Sequence, residues 1–169
     1  MVFVPEGCKA VGACPVLYIL DGSAHFHYGT GMLARMSRSN QIPEMIMVAI
    51  LNTADRMHDL TPTHALIGYD GEESSQNATS GGGNAFLDFL EKELIPEIKD
   101  RYKPMPYRVF SGHSLGGLMA LHSFVERPKL FQAYIAVDPS LWWDELELLQ
   151  RAEKYLKSHA DIRSKVFIT

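Results

Sequence analysis

The chain alternates short unbroken apolar runs with amphipathic stretches, and this alternation restricts its fold more than any other feature. The runs cover residues 2–4, 16–20, 45–51, 108–110, 133–137 and 165–169. Most are closed by turn residues: Pro5, Asp21-Gly22, Ser111-Gly112 and Asp138-Pro139. Continuous runs of this length predict strands buried on both faces. Helical spacing fills the gaps. Met32, Leu33 and Met36 predict a helix capped by Thr30 and running to Ser39. Phe86, Phe89, Leu90, Leu94 and Ile98 predict a longer helix capped by Asn84. Pro96 falls inside that pattern, so a kink or break is expected there. Residues 115–125 read as an apolar helix. Residues 144–157 read as an amphipathic one, with Leu146, Leu149 and Leu156 on one side. Strands alternating with helices give an α/β fold: a mostly parallel sheet with helices on both faces. The polar, glycine-rich stretch 71–83 reads as a long exposed loop within one domain, residues 1–169.

Composition removes several function classes. The formal charge is -4, which lacks the basic footprint of a nucleic-acid binder. No stretch approaches the roughly 20 apolar residues of a membrane span. The start shows no secretory signal pattern, since its first basic residue is Lys9. Two cysteines, Cys8 and Cys14, make no disulfide framework. They either pair across a short loop or stay thiols, and two idle thiols are the expectation. Asn77-Ala78-Thr79 fits a glycosylation acceptor, a triplet common by chance.

The chemistry lies in Gly112-His113-Ser114-Leu115-Gly116-Gly117. It contains Gly-x-Ser-x-Gly, with a strand pattern running in and a helix pattern running out. That context is the one a nucleophile elbow requires. A sharp turn strains the serine backbone and lifts Oγ clear of the sheet, so the flanking positions must be small. The Leu115 amide then sits at a helix N-terminus, where unpaired N–H groups favour an anion. It is suited to hold a developing oxyanion. A second donor is expected after an earlier central strand, where Asp21-Gly22 would aim the Ser23 amide at Ser114.

These residues resemble the esterase family of α/β-hydrolases that includes siderophore (enterochelin-type) esterases, esterase D, feruloyl esterases and mycolyl transferases. The resemblance spans nearly the whole chain. It rests on Pro15-Val16-Leu17-Tyr18-Ile19-Leu20-Asp21-Gly22, on Asp55-Arg56 and Asp59-Leu60-Thr61-Pro62, and on Gly-His-Ser-Leu-Gly-Gly. It ends on Pro139-Ser140-Leu141-Trp142-Trp143. The Thr-Pro and Pro-Ser-Leu-Trp-Trp elements look most like the siderophore-esterase branch. The resemblance implies an α/β-hydrolase fold and hydrolysis of a small-molecule carboxylic ester or thioester by Ser114, with no cofactor. In mycolyl transferases the residue after Asp-Gly supplies an oxyanion donor, which maps onto Ser23.

A serine hydrolase also needs a base, in the chain order Ser, acid, His. His122 lies eight residues along the elbow's own helix, about 12 Å down the axis, so it is expected in the core or on the surface. His159 precedes the last strand, at the end opposite the site. In the family the acid follows a strand like residues 165–169 and the histidine comes later. The chain therefore reads as shortened at its N-terminus and truncated at its C-terminus. It reads as a serine esterase lacking its acid and histidine or, alternatively, as a catalytically incomplete protein that only binds. Asp138 is the one candidate acid within it, with a turn role the simpler account. Asp144 reads as a helix cap or first-turn residue. His113 is expected to pack beside the elbow. His25-x-His27 lacks a third ligand, so no metal is expected, and that loop could line the pocket. Arg56 with Asp59 is expected to form a structural ion pair or grip an anionic substrate. Trp142-Trp143 either walls the pocket or packs in the core. Oligomeric state is not legible.

Overall fold

A computed structural model describes all 169 residues. The elements in order are β1 (Val2–Phe3), β2 (Val16–Ile19), α1 (Gly22–Arg38), β3 (Ile46–Ala49), α2 (Arg56–Leu60) and α3 (Gly83–Phe89). There follow α4 (Ile95–Tyr102), β4 (Arg108–His113), α5 (Leu115–Glu126), β5 (Ala133–Val137), α6 (Trp143–Ser158) and β6 (Lys165–Ile168). Six strands form one sheet in the order β1-β3-β2-β4-β5-β6. Only β1 is antiparallel to its neighbour. The apolar runs are thus the strands, and the architecture is the expected parallel sheet with helices on both faces.

Burial on both faces holds for β3, whose four residues are all buried, and for the middle of β4, where Val109 to Gly112 are buried in succession. In β2, Val16 and Tyr18 are buried while Leu17 and Ile19 are half-buried. The asymmetry follows from the helices. Most lie on one face, over a core built from Tyr18, Phe110, Leu118, Phe124 and Phe131. The other face holds α1, with a small cluster of Leu33, Met47 and Ala49. All four residues of β6 are exposed, because β6 is the sheet's edge. Leu146, Leu149 and Leu156 of α6 are also exposed; Trp143 and Leu148 are buried instead. The apolar side predicted for that helix therefore faces outward, because the turn at its start takes left-handed backbone from Asp144 to Leu146 and rotates the rest. Asp144 makes no side-chain cap and lies instead in the first turn of α6, the second of its two expected places.

Helix α1 begins at Gly22, well before Thr30, so His25 and His27 are helical rather than in a loop. Two positions apart on a helix they point about 200° away from each other, which removes the convergence a shared metal needs. The predicted long helix is interrupted by a π-turn at Leu90–Leu94. The turn sits directly before Pro96 and absorbs the hydrogen bond that proline cannot make. Stretch 71–83 is tied down more than its composition suggests. Its 3-10 turn Ser75–Asn77 buries Asn77, whose amide donates to the Leu66 carbonyl at 3.2 Å. That side chain cannot accept a glycan in the folded protein.

Cys8 and Cys14 form a disulfide, contrary to the expectation of idle thiols. A 3-10 turn at Glu6–Lys9 and the left-handed Gly12 fold the intervening residues back. Bonds from Gly12 to Lys103 and from Met105 to Cys14 hold the loop against the strand ends.

Candidate active site

β4 runs past its apolar run through Ser111-Gly112-His113 and stays paired with β5 to His113. The chain then turns sharply. Ser114 has φ 56° and ψ -119°, a conformation that side chains rarely adopt and that costs about 1–3 kcal/mol. Three backbone bonds hold it there. The Ser114 N–H donates to the Val137 carbonyl (3.0 Å), and its carbonyl accepts from Leu118 (3.0 Å) and Ser140 (3.2 Å). Gly112 lies against the outgoing helix so closely that a Cβ there would stand 2.3 Å from the Gly116 backbone. Only glycine fits, which is why the motif needs it. Ser114 is partly exposed, and its Oγ lies 3.1 Å from the Ser140 Oγ.

The two amides expected as oxyanion donors leave the sheet at the same end. In the β2–β4 register Ile19 pairs with Ser111, so the turns that carry Ser23 and Ser114 follow neighbouring strands at the same end of the sheet. A Cβ on Gly116 would stand 3.3 Å from Asp21 Oδ2 and 3.4 Å from Leu20, so the start of α5 rests directly on the β2 turn. Leu115 opens α5 and Ser23 is the second residue of α1. Neither amide has a partner in the turn and cap hydrogen bonds around it, whereas Gly22, Ala24 and His25 all do.

Asp21 fastens this turn. It adopts the left-handed conformation (φ 53°, ψ 45°), and Gly22 donates to the Ile50 carbonyl at 2.7 Å. Its carboxylate is gripped by Arg56 through Nε (2.6 Å) and a terminal nitrogen (2.9 Å), and by Asn52 (2.7 Å). Burial alone would raise the Asp21 pKa, but the Arg56 and Asn52 bonds outweigh it and hold the carboxyl below its usual range. Arg56 is thus structural, yet its partner is Asp21 and not Asp59. Asp59 accepts from Thr53 (2.6 Å) and sits beside His58 (3.1 Å). Spacing could not find this pairing, because Asp21 is remote in sequence and only the β2–β3 contact brings it near.

No histidine bonds to Ser114. His122 is fully buried between Asn84 (3.1 Å) and Arg151 (3.2 Å). Burial, then the Arg151 and Arg127 charges, push its pKa down to about 3. His159 stacks on Tyr155 at the other end of the sheet. His113 is exposed rather than packed, because strand alternation turns it away from the core. With His25, Tyr28 and Val137 it lines a hollow of about 320 Å3 beside the elbow. Asp138 follows β5 one strand from the elbow, exposed and left-handed, and its carboxylate meets no histidine. The tryptophans divide. Trp143 is core, donating to the Thr63 carbonyl at 3.1 Å, while Trp142 is partly exposed against Tyr69. The residue that spacing missed is Ser140. It stands 26 positions from Ser114, and only the β4–β5 pairing brings the two hydroxyls together.

Comparison with known proteins shows the family of the chain. A family model described as "Putative esterase" matches residues 1–166. The siderophore triacetylfusarinine C esterase of Aspergillus fumigatus is 34% identical over 160 residues, covering 87% of this chain and 51% of that protein. The ferri-bacillibactin esterase BesA of Bacillus subtilis is 31% identical, covering 84% of this chain and 53% of its own length. An IroE-like serine hydrolase from Shewanella oneidensis superposes with a TM-score of 0.91 at 37% identity, covering 99% of this chain and 54% of that one. The chain spans about half the length of the curated relatives it matches.

Proposed function

Since the chain belongs to this esterase family of α/β-hydrolases, we propose that it carries the nucleophile and oxyanion site of a serine esterase. Ser114 Oγ attacks the ester carbonyl carbon while a base takes its proton. The Leu115 and Ser23 amides hold the oxyanion of the tetrahedral intermediate. That intermediate collapses to an acyl-serine as the ester C–O bond breaks and the base gives its proton to the leaving oxygen, which departs as the alcohol. Water, losing a proton to the base, then attacks the same carbon, and return of that proton to Ser114 Oγ frees the acid and Ser114. No histidine of these residues is placed to be the base, so in this reading the base is a group brought to Ser114 from outside them. Asp138 stands at the right end of the sheet to orient a histidine brought to it. The similarity to a triacetylfusarinine C esterase and a ferri-bacillibactin esterase supports a siderophore ester as substrate.

The observation that carries the proposal is the strained Ser114, held at φ 56° with the unpartnered Leu115 amide next to it. Such strain persists only where surrounding bonds over-determine it, and it clusters at active sites. The test begins with the transcript beyond the Thr169 codon, followed by expression of the encoded protein. Hydrolysis of a siderophore ester, abolished by Ser114→Ala, is the expected result. Turnover that survives Ser114→Ala overturns the assignment. A folded protein with no turnover at all would leave a binding role.

A further inference from the structure

The Pro139-Ser140-Leu141-Trp142-Trp143 element packs on the elbow, and nothing in the reaction above uses it. Its middle hydroxyl is the unusual part. Ser140 is 4% exposed, and its Oγ has one recorded partner, the Oγ of Ser114 at 3.1 Å. We propose that Ser140 is a positioning residue for the nucleophile, donating its hydroxyl hydrogen to Ser114 Oγ throughout the attack. This rests on the esterase reading of Ser114 and adds a part to it.

The direction of the bond follows from the chemistry. Ser114 must give its own hydrogen to a base, so it cannot spend that hydrogen on Ser140. A buried hydroxyl donor needs an acceptor, and Ser114 Oγ is the one available. Donation by Ser140 therefore satisfies both groups. It occupies one lone pair of Ser114 Oγ, aims the Ser114 O–H outward, and leaves the other lone pair for the carbonyl carbon. As the proton leaves and the Oγ–C bond forms, charge passes through Ser114 Oγ, and a bond that is long at rest can tighten. Ser140 neither gains nor loses a proton.

The mount is rigid enough for the task. The Ser140 N–H donates to the Ser114 carbonyl (3.2 Å), so backbone and side chain both tie the two residues. The Ser140 carbonyl accepts from Trp143 (3.1 Å), and Trp143 is itself buried. Pro139 rests against Gly117, where a Cβ would meet it at 3.0 Å.

The test is the rate of fluorophosphonate labelling at Ser114, split into probe affinity and the maximal covalent step, on the protein expressed from its gene. Ser140→Ala is expected to slow the covalent step about tenfold, the loss of one hydrogen bond to a developing charge. Affinity and melting temperature should stay near the parent values. Ser140→Thr, which keeps the hydroxyl, is expected to restore most of the rate. A Ser140→Ala rate equal to the parent overturns the inference. So does a loss that follows a fall in melting temperature, or one that Ser140→Thr does not recover. A parent protein unlabelled at Ser114 refutes the esterase reading itself, which separates the two failures.

Discussion

Replacing Arg56 by alanine tests how the turn at Asp21–Ser23 is held. Arg56 donates twice to Asp21, at 2.6 and 2.9 Å. The Asp21 side chain is only 13% exposed, while that of Arg56 is 34% exposed. Breaking a fully buried ion pair costs about 3–5 kcal/mol, because a charge is left without its partner. The exposure of Arg56 and the surviving Asn52 bond reduce this to about 2–3 kcal/mol. For a chain of this size that corresponds to a fall of about 4–12 °C in Tm. The pH dependence gives a second check. The folded pKa of Asp21 is depressed, so its contribution is present above the usual carboxylate range and is lost as pH falls through the folded value. In Arg56→Ala burial dominates and the pKa rises, so mild acid neutralises Asp21 and relieves the penalty. The gap between the proteins should be widest near pH 7 and narrow toward pH 3. Urea unfolding across that range measures it. A gap below about 0.5 kcal/mol at pH 7, or one flat with pH, would refute the reasoning.

Other outcomes follow from the same geometry. Ser23→Pro removes the unpartnered amide at a first-turn helix position that tolerates proline; labelling of Ser114 should slow about 10²–10³-fold with little change in melting. Gly31→Ala, in α1 with open space around it, should stabilise the chain by up to about 1 kcal/mol, whereas Gly112→Ala should collapse the elbow and abolish labelling. The His122 ring, neutral until about pH 3, should show no NMR titration from pH 7 to 4. Its depressed pKa also makes stability decline as pH falls from about 6.5, the ordinary imidazole value, toward 3, and a His122→Gln variant should flatten that slope. Reduction of the Cys8–Cys14 link should cost about 2 kcal/mol, as expected for closing so short a loop.

Much of this architecture is visible in the chain because it depends on local pattern. The apolar runs became strands, and Gly-x-Ser-x-Gly between a strand and a helix became a strained turn. What stayed hidden depends on tertiary placement. Asp21 and Arg56 meet across two strand ends, and no spacing in the sequence encodes that. The hydroxyls of Ser114 and Ser140 meet through the pairing of β4 with β5. The outward face of α6 comes from a left-handed turn at Asp144–Leu146, residues with no glycine to announce it. The early start of α1 was masked because His25, His27 and Gly29 interrupt the apolar period. The disulfide escaped because two cysteines alone carry no pairing signal.

The central claim is that Ser114 is a nucleophile facing a preformed oxyanion site. Treating the protein expressed from its gene with a fluorophosphonate, and locating the adduct by peptide mass spectrometry, tests it most directly. The account predicts one adduct, on Ser114, absent from Ser114→Ala and slowed in Ser23→Pro. An unlabelled folded protein, or an adduct on any other serine, would contradict it.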